Sequence, residues 1–276
     1  MIFLYKKWEL FCKKLKDNGR CSIPAKMVNA EYKDYLVLKH DVETDVTKAF
    51  QMAVIENKYG HRGTYYVQAY LLNNHENIKL LQKMQKMGHE ISYHYDVMDS
   101  CKGDLNRAII EFETNKQLFE SNGFQIETLC QHGNPVVERI GYTSNRDFFR
   151  SDRVRARYPF LCDVMVNFKE MKNTDYHYLS DAGRKFKLIF DPIRNDIVDS
   201  EDKNIPYEDL DAILKELLNG GNYIISTHPH RWCHSATIYI AKTIFFRTIK
   251  SVAKILIRIP LFKKIMGRYY YLAKKI

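Results

Sequence analysis

The sequence predicts an α/β protein whose parallel strands close into a (β/α) barrel, and three observations carry that expectation. Strand-like and helix-like segments alternate along most of the chain. The side chains capable of acid-base or metal chemistry fall at the carboxyl ends of separate predicted strands, which a barrel gathers on one face and an open sheet spreads along a line. Neither Gly-x-Gly-x-x-Gly nor Gly-x-x-x-x-Gly-Lys-Ser/Thr occurs, so a nucleotide-binding open sheet has no support.

The elements follow in order. An N-terminal helix is expected over Phe3 to Lys16, then a strand at Tyr35 to Lys39 and a helix at Val46 to Lys58 ended by Gly60. Gly63 to Val67 is β-branched and aromatic, hence a second strand. Asn77 to Met87 reads as a helix stopped at Gly88, and His89 to His94 as the third strand. Leu105 to Ser121 is a long helix, followed by a strand at Gln125 to Cys130. Residues 134–157 show no clear period. Phe160 to Val166, Tyr176 to Leu179 and Lys187 to Phe190 are short strand candidates. Tyr207 to Leu218 is a helix and Asn222 to Thr227 the last strand.

Composition bounds the class. A chain of 276 residues, 45% hydrophobic, can bury a full core in one large domain with a small appendage. Six cysteines (12, 21, 101, 130, 162 and 233) include no Cys-x-x-Cys pair, which suits free thiols in a reducing compartment. The apolar start, Met1 to Tyr5, is cut short by Lys6 and Lys7 and lacks the apolar stretch of a secretory signal, so a cytoplasmic location is expected. The net charge of +10 comes wholly from residues 236–276, which hold ten Lys or Arg and no Asp or Glu. Three regions follow: a lead-in over 1–33, the barrel over 34–235 and a basic tail over 236–276.

Two segments draw the chemistry together: Lys39-His40-Asp41-Val42-Glu43 and Gly88-His89-Glu90-Ile91-Ser92-Tyr93-His94. Strand side chains alternate faces, so Asp41 and Glu43 point the same way if the chain stays extended through Val42. One carboxylate can then bind a metal while the other takes a proton from water. The same alternation selects His94 over His89 as a ligand candidate, and it puts Ser226 and His228 on one face. His228 can protonate a leaving amine or stabilise an oxyanion. His132 and Asp181 stand at two further strand ends. Cys130 fits a core thiol better than a ligand.

These segments resemble the polysaccharide deacetylase superfamily (NodB homology, carbohydrate esterase family 4-like) in its divergent His-Asp-Val-Asp/Glu form. The matching residues are His40-Asp41-Val42-Glu43, Gly88-His89-Glu90-Ile91-Ser92-Tyr93-His94, His132-Gly133, Tyr178 to Gly183, and Ser226-Thr227-His228-Pro229. The resemblance covers about residues 34–232. It implies a distorted (β/α)7 barrel that uses a divalent metal ion, zinc, to hydrolyse an N-acetyl or O-acetyl group on a sugar in surface polysaccharide or glycolipid synthesis. It implies Asp41 as general base, His228 as general acid, and Glu43 and His94 as metal ligands. Asp181 would orient its neighbours, while His132 and His40 would contact substrate or support the site.

Three features depart from the family pattern. Its second histidine ligand, four residues after His94, is Met98 here, and Asp96, Asp99, His132 or water are the replacements. Glu43 stands for the commoner aspartate and is longer by one methylene. Aligning an ungapped Asp-Asp motif would move the ligand role to Asp41. Two rival functions stay open, a glycan-binding protein without activity on the same fold and a hydrolase of non-sugar amides.

In the tail, Ile238, Ile244, Phe245, Ile249, Val252, Ile255, Leu256 and Ile259 lie on one helical face and Lys242, Arg247, Lys250, Lys254 and Arg258 on the other. Pro260 ends that helix, and Phe262 and Tyr269 to Tyr271 add aromatics beyond it. Residues 237–276 therefore suit an anionic membrane surface, on the inner face of the membrane, rather than a membrane span. Packing against protein is the rival reading. Nucleic acid is not an expected partner, because the apolar stripe has no use there.

Overall fold

The computed structural model describes residues 3–134 and 137–256. Nine strands form one sheet: β1 (Leu36–Val42), β2 (Thr64–Val67), β3 (Glu90–Tyr95), β4 (Thr128–Gln131), β5 (Cys162–Asp163), β6 (His177–Ser180), β7 (Lys187–Ile189), β8 (Ile205–Pro206) and β9 (Tyr223–Thr227). Their order is β5-β4-β3-β2-β1-β9-β6-β7-β8. The seven strands from β5 to β6 are all parallel, and β7 and β8 extend the β6 edge antiparallel.

Alternation along these strands sorts the side chains into two environments. One face of the sheet contributes Val37, Tyr66, Cys130, Cys162, Tyr178 and Ile224 to a single buried cluster. That cluster draws on strands from both ends of the parallel set, which an open sheet cannot bring together, so the sheet curls around it as a distorted barrel. The two ends meet through side chains: the Tyr176 hydroxyl donates to the Val164 carbonyl at 2.9 Å, and Tyr176 stands edge-on to Phe168 at 5.6 Å. Among the described residues no backbone ladder joins β5 to β6.

The other face is covered by helices. Helix Val46–Lys58 starts at Asp45, whose carboxylate accepts from the Lys48 amide at 3.1 Å, and helix Leu105–Ser121 starts at Asp104, which accepts from the Asn106 and Arg107 amides. The N-terminal helix Tyr5–Asp17 buries Trp8, Phe11 and Leu15 in one cluster with Leu36 and Leu38 of β1 and Ile225 of β9. Glu56 is fully buried beneath it, with Trp8 Nε1 at 3.1 Å, the Tyr65 hydroxyl at 2.8 Å and His40 Nε2 at 2.8 Å. Gly63 makes that approach possible, since a Cβ there would stand 2.8 Å from Glu56 Oε2.

Differences from the sequence expectations have local causes. β1 runs on to Val42 because Asp41 and Val42 pair with Tyr66 and Val67 of β2. The Phe160 to Val166 candidate shrinks to two residues, for it lies at the sheet edge and Phe160 is 87% exposed. The unpatterned stretch 134–157 contains short helices Asp147–Arg150 and Asp152–Arg157, which bury Phe148, Phe149 and Val154. The sequence offered no signal for the two-residue β8.

Candidate active site

The carboxyl ends of β1, β3, β4, β6 and β9 converge, and they bring Asp41, Glu43, His94, His132, Asp181 and His228 to one place. His132 Nδ1 lies 3.1 Å from Glu43 Oε1 and 3.2 Å from His94 Nε2. Glu43, His94 and His132 each offer a donor atom, and these atoms lie within 4.8 Å of one another. His228 Nε2 faces this group, 3.7 Å from Glu43 Oε1 and 3.9 Å from Asp41 Oδ2.

Each donor is aimed by a neighbour. The His94 ring sets Nδ1 3.1 Å from the Cys130 carbonyl, which can only accept, so Nδ1 carries the proton and the Nε2 lone pair faces inward. Burial pushes His94 down to about 3, so the ring is neutral as a ligand must be. His132 extends the β3 ladder by donating its amide to the Tyr95 carbonyl at 2.7 Å, and its own carbonyl accepts from Asn145 Nδ2 at 2.8 Å. Burial raises the Glu43 carboxyl, but His132, His228 and His230 outweigh it and hold the group well below its ordinary range.

Asp41 has a different partner. Lys39, two positions earlier on the same face of β1, sets its Nζ 2.6 Å from both Asp41 oxygens and 3.1 Å from Ser226 Oγ, and it is fully buried. Burial pushes the Asp41 carboxyl up, and the Lys39 ammonium with His94 and His228 more than reverses this, leaving it at about 2. Lys39 had no role in the sequence reading. The alternation that pairs Asp41 with Glu43 also puts Lys39 on that face, and this was the available signal.

On the far side, Asp181 fixes His228. Its Oδ1 lies 2.6 Å from His228 Nδ1, its Oδ2 accepts from the His228 amide and from Thr227 Oγ1, and Arg231 Nη1 donates to it at 2.6 Å. Burial raises this carboxyl, and Arg231 and His228 bring it well below the carboxylate range. An ionised Asp181 can only accept, so His228 keeps its proton on Nδ1 and turns Nε2 to the site.

The structure also locates the other named residues. Met98 is buried in the helix-side core with Val97 and Phe148. Asp99 anchors the loop after β4, accepting from Arg139 at 2.8 and 2.9 Å and from Asn145 at 2.8 Å. Asp96 lines a neighbouring cavity. His40 is fully buried on the helix side of β1, stacked on Tyr65 at 4.3 Å and beside Glu56, and does not face the site. A second donor group, Asp41, His94 and Cys130, shares His94. There the Asp41 oxygens are already engaged by Lys39, and burial raises the Cys130 thiol, which keeps it protonated.

No protein-family model and no curated protein matches the chain. Solved structures do. The chain is similar to a family 4 carbohydrate esterase from Streptomyces lividans in complex with acetate, at 18% identity over 71% of this chain and 79% of that one, with a TM-score of 0.41. It is similar to the catalytic domain of a peptidoglycan N-acetylglucosamine deacetylase from Eubacterium rectale, at 12% identity over 81% and 88% of the two chains, with a TM-score of 0.43. A peptidoglycan deacetylase from Bacillus subtilis matches at 12% identity over 82% and 96%, with a TM-score of 0.36.

Proposed function

We propose that this chain is a metal-dependent hydrolase that removes an acetyl group from an N-acetylated or O-acetylated sugar in surface polysaccharide or glycolipid synthesis. The observation that carries the reading is the convergence of Glu43, His94 and His132 between two oppositely equipped groups, Asp41 beside Lys39 and His228 beside Asp181. Two imidazoles and one carboxylate, with other positions left for water and substrate, are a donor set that suits a catalytic zinc ion. The metal ion, when bound, polarises the acetyl carbonyl and makes water a better nucleophile. Asp41, ionised throughout the neutral range, accepts the proton of the attacking water. As the carbon–nitrogen bond breaks, His228 hands a proton from Nε2 to the departing amine, and Asp181 holds the ring in place. His132 thus takes the ligand role that the family pattern gives to position 98.

Acetate release from a trimer of N-acetylglucosamine tests this reading. Activity is expected to fall to background with a chelator and to return with zinc. Release indifferent to both treatments overturns it.

We further propose that the region 236–276 docks the enzyme on the inner face of an anionic membrane. No helix among the described residues is long and apolar enough to cross a membrane. Helix Ala236–Leu256 is seated on the body by Tyr239, which packs 6.1 Å from Phe3, while Ile238, Ile244 and Phe245 of the apolar face remain about half exposed. Residues 257–276, with Arg258, Ile259, Pro260 and the later aromatics, lie outside the described residues. A helix with an exposed apolar face and an all-positive charge balance is held both by insertion and by headgroup attraction. The full chain is expected to sediment with phosphatidylglycerol vesicles and not with phosphatidylcholine vesicles. Changing Lys242, Arg247, Lys250 and Lys254 together to Glu should abolish that sedimentation, and retention by this variant would remove the membrane reading.

A further inference from the structure

Helix Ala236–Leu256 brings a second group of charges to the rim of the active site. Tyr239 is buried against Phe3, and Lys242 follows it one turn later on the same helical face, so this lysine turns toward the body and is half-buried. There it meets Lys48, in the first turn of helix Val46–Lys58, which is half-buried too and donates Nζ to the His230 carbonyl at 2.7 Å. The His230 ring stands 5.7 Å from the His228 ring. Next along the chain, Arg231 Nη1 donates to the Asp181 carbonyl and to Asp181 Oδ1, both at 2.6 Å, and Arg184 lies within electrostatic range of Arg231.

Lys48 and Lys242 are like charges in contact, and among the described residues no carboxylate closes an ion pair with either. Burial, and then the Lys242 ammonium, lower the Lys48 pKa, and the opposing pull of Asp45 is smaller. Asp45 is already the cap of its helix, accepting from the Lys48 amide at 3.1 Å. A cation in a helix's first turn also faces the positive end of the helix dipole. Arg184 repeats the pattern: burial, then Arg231, lower its pKa, and its backbone is left-handed at φ +63°, a strained state for a residue with a side chain. Asp181, the acid near both arginines, already holds His228. Cys233 lies within electrostatic range of Lys48 and of Arg184, so the two cation pairs flank one short segment, 230–233. Folding gains nothing from this crowding, whereas a bound anion relieves it. Set against Asp45 and Asp181, the four cations leave two positive charges, which match a phosphate monoester better than a carboxylate.

We propose that Lys48, Lys242, Arg184 and Arg231 hold a phosphate group carried by the sugar whose acetyl group lies at the metal-ligand group, so that the site takes a glycosyl phosphate in preference to the same sugar without phosphate. The lysines supply compact ammonium charges and the arginines the planar fork that matches phosphate oxygens. His230 and Arg231 follow His228 by two and three positions, so a phosphate seated here fixes the attached sugar against the His228 ring. One of the four cations comes from the tail helix, and the ligand therefore also fastens that helix to the body. This rests on the deacetylase reading, and the two can fail separately.

The test measures affinity for N-acetylglucosamine, for its 1-phosphate and for inorganic phosphate, with the full chain kept in chelator so that the acetyl group persists. The 1-phosphate is expected to bind at least tenfold tighter than either of the others. Lys48→Gln, which keeps a donor for the His230 carbonyl, and Lys242→Gln should each lower affinity for the 1-phosphate at least threefold and shrink its advantage over the plain sugar. Lys242→Glu should remove that advantage while raising the melting temperature, because the new carboxylate pairs with Lys48; the loss of binding is then not a loss of folding. Equal affinity for the two sugars overturns the proposal, as does an advantage that survives all three substitutions. Inorganic phosphate bound as tightly as the 1-phosphate overturns it too, and leaves an adventitious ion only. If Lys48→Gln abolishes sedimentation with phosphatidylglycerol vesicles but leaves the advantage of the 1-phosphate intact, the phosphate is a lipid headgroup's and the glycosyl phosphate is overturned. Acetate release is then assayed with zinc. A phosphate preference without acetate release defeats the deacetylase reading alone, and acetate release without the preference defeats the phosphate site alone.

Discussion

Asp41→Asn is expected to lower zinc-dependent acetate release by about 10²–10⁴-fold, the range that a positioned general base supplies, while the protein keeps its zinc. The second half of that outcome separates two roles that the motif alone leaves open. If Asp41 were a ligand and Glu43 the base, the substitution would lower metal content together with rate. The structure favours the base, since Lys39 Nζ engages both Asp41 oxygens at 2.6 Å whereas Glu43 Oε1 lies 3.1 Å from His132 Nδ1. Asn keeps an acceptor for Lys39 but gives up the opposite charge, and breaking a buried ion pair costs about 3–5 kcal/mol. Stability must therefore be read beside rate. The double change Lys39→Met with Asp41→Asn removes both charges and should recover much of the stability without recovering activity. Recovered activity in the double variant would show that the loss in Asp41→Asn came from folding, not from a missing base.

The legible part of this molecule was set by period and position. Parallel strands buried on both faces, such as the start of β1 read over Tyr35 to Lys39, show as strands because apolar and β-branched residues persist, and reactive residues at their ends read as a site because a barrel collects strand ends. Alternation alone placed Asp41 with its neighbours and separated His94 from His89, which the structure ties to Glu56 and the Gly63 amide on the helix side. What the sequence hid was long-range choice. Asp96, Asp99, His132 and water all stood open as replacements for a ligand at Met98, and only the tertiary path of the chain after β4, held by Asn145 and the Asp99–Arg139 pair, puts His132 rather than Asp99 beside His94. Lys39 was hidden for another reason: a lysine in an apolar strand reads as edge or solvent, and its full burial depends on an anion that no local pattern announces.

His132→Ala should weaken zinc binding by more than about 100-fold, beyond the 10–100-fold that loss of a supporting hydrogen bond produces, as read by competition with a chromophoric chelator. The comparison with its neighbours carries the argument. Asp96→Asn alters a cavity side chain, Met98→Leu alters a residue turned into the helix-side core, and Cys130→Ala removes a thiol that burial keeps protonated. None of the three should change zinc affinity more than about threefold, since a ligand's loss costs far more than a packing change. If Cys130→Ala instead matches His132→Ala, the ion sits one layer deeper, with Asp41 and His94, and Asp41 cannot be the base. If Asp96→Asn does so, the shell closes toward the cavity that Asp96 lines, and that cavity is part of the metal centre rather than its neighbour. With only His132→Ala affected, a histidine at the end of β4 does the work of one a helical turn beyond β3.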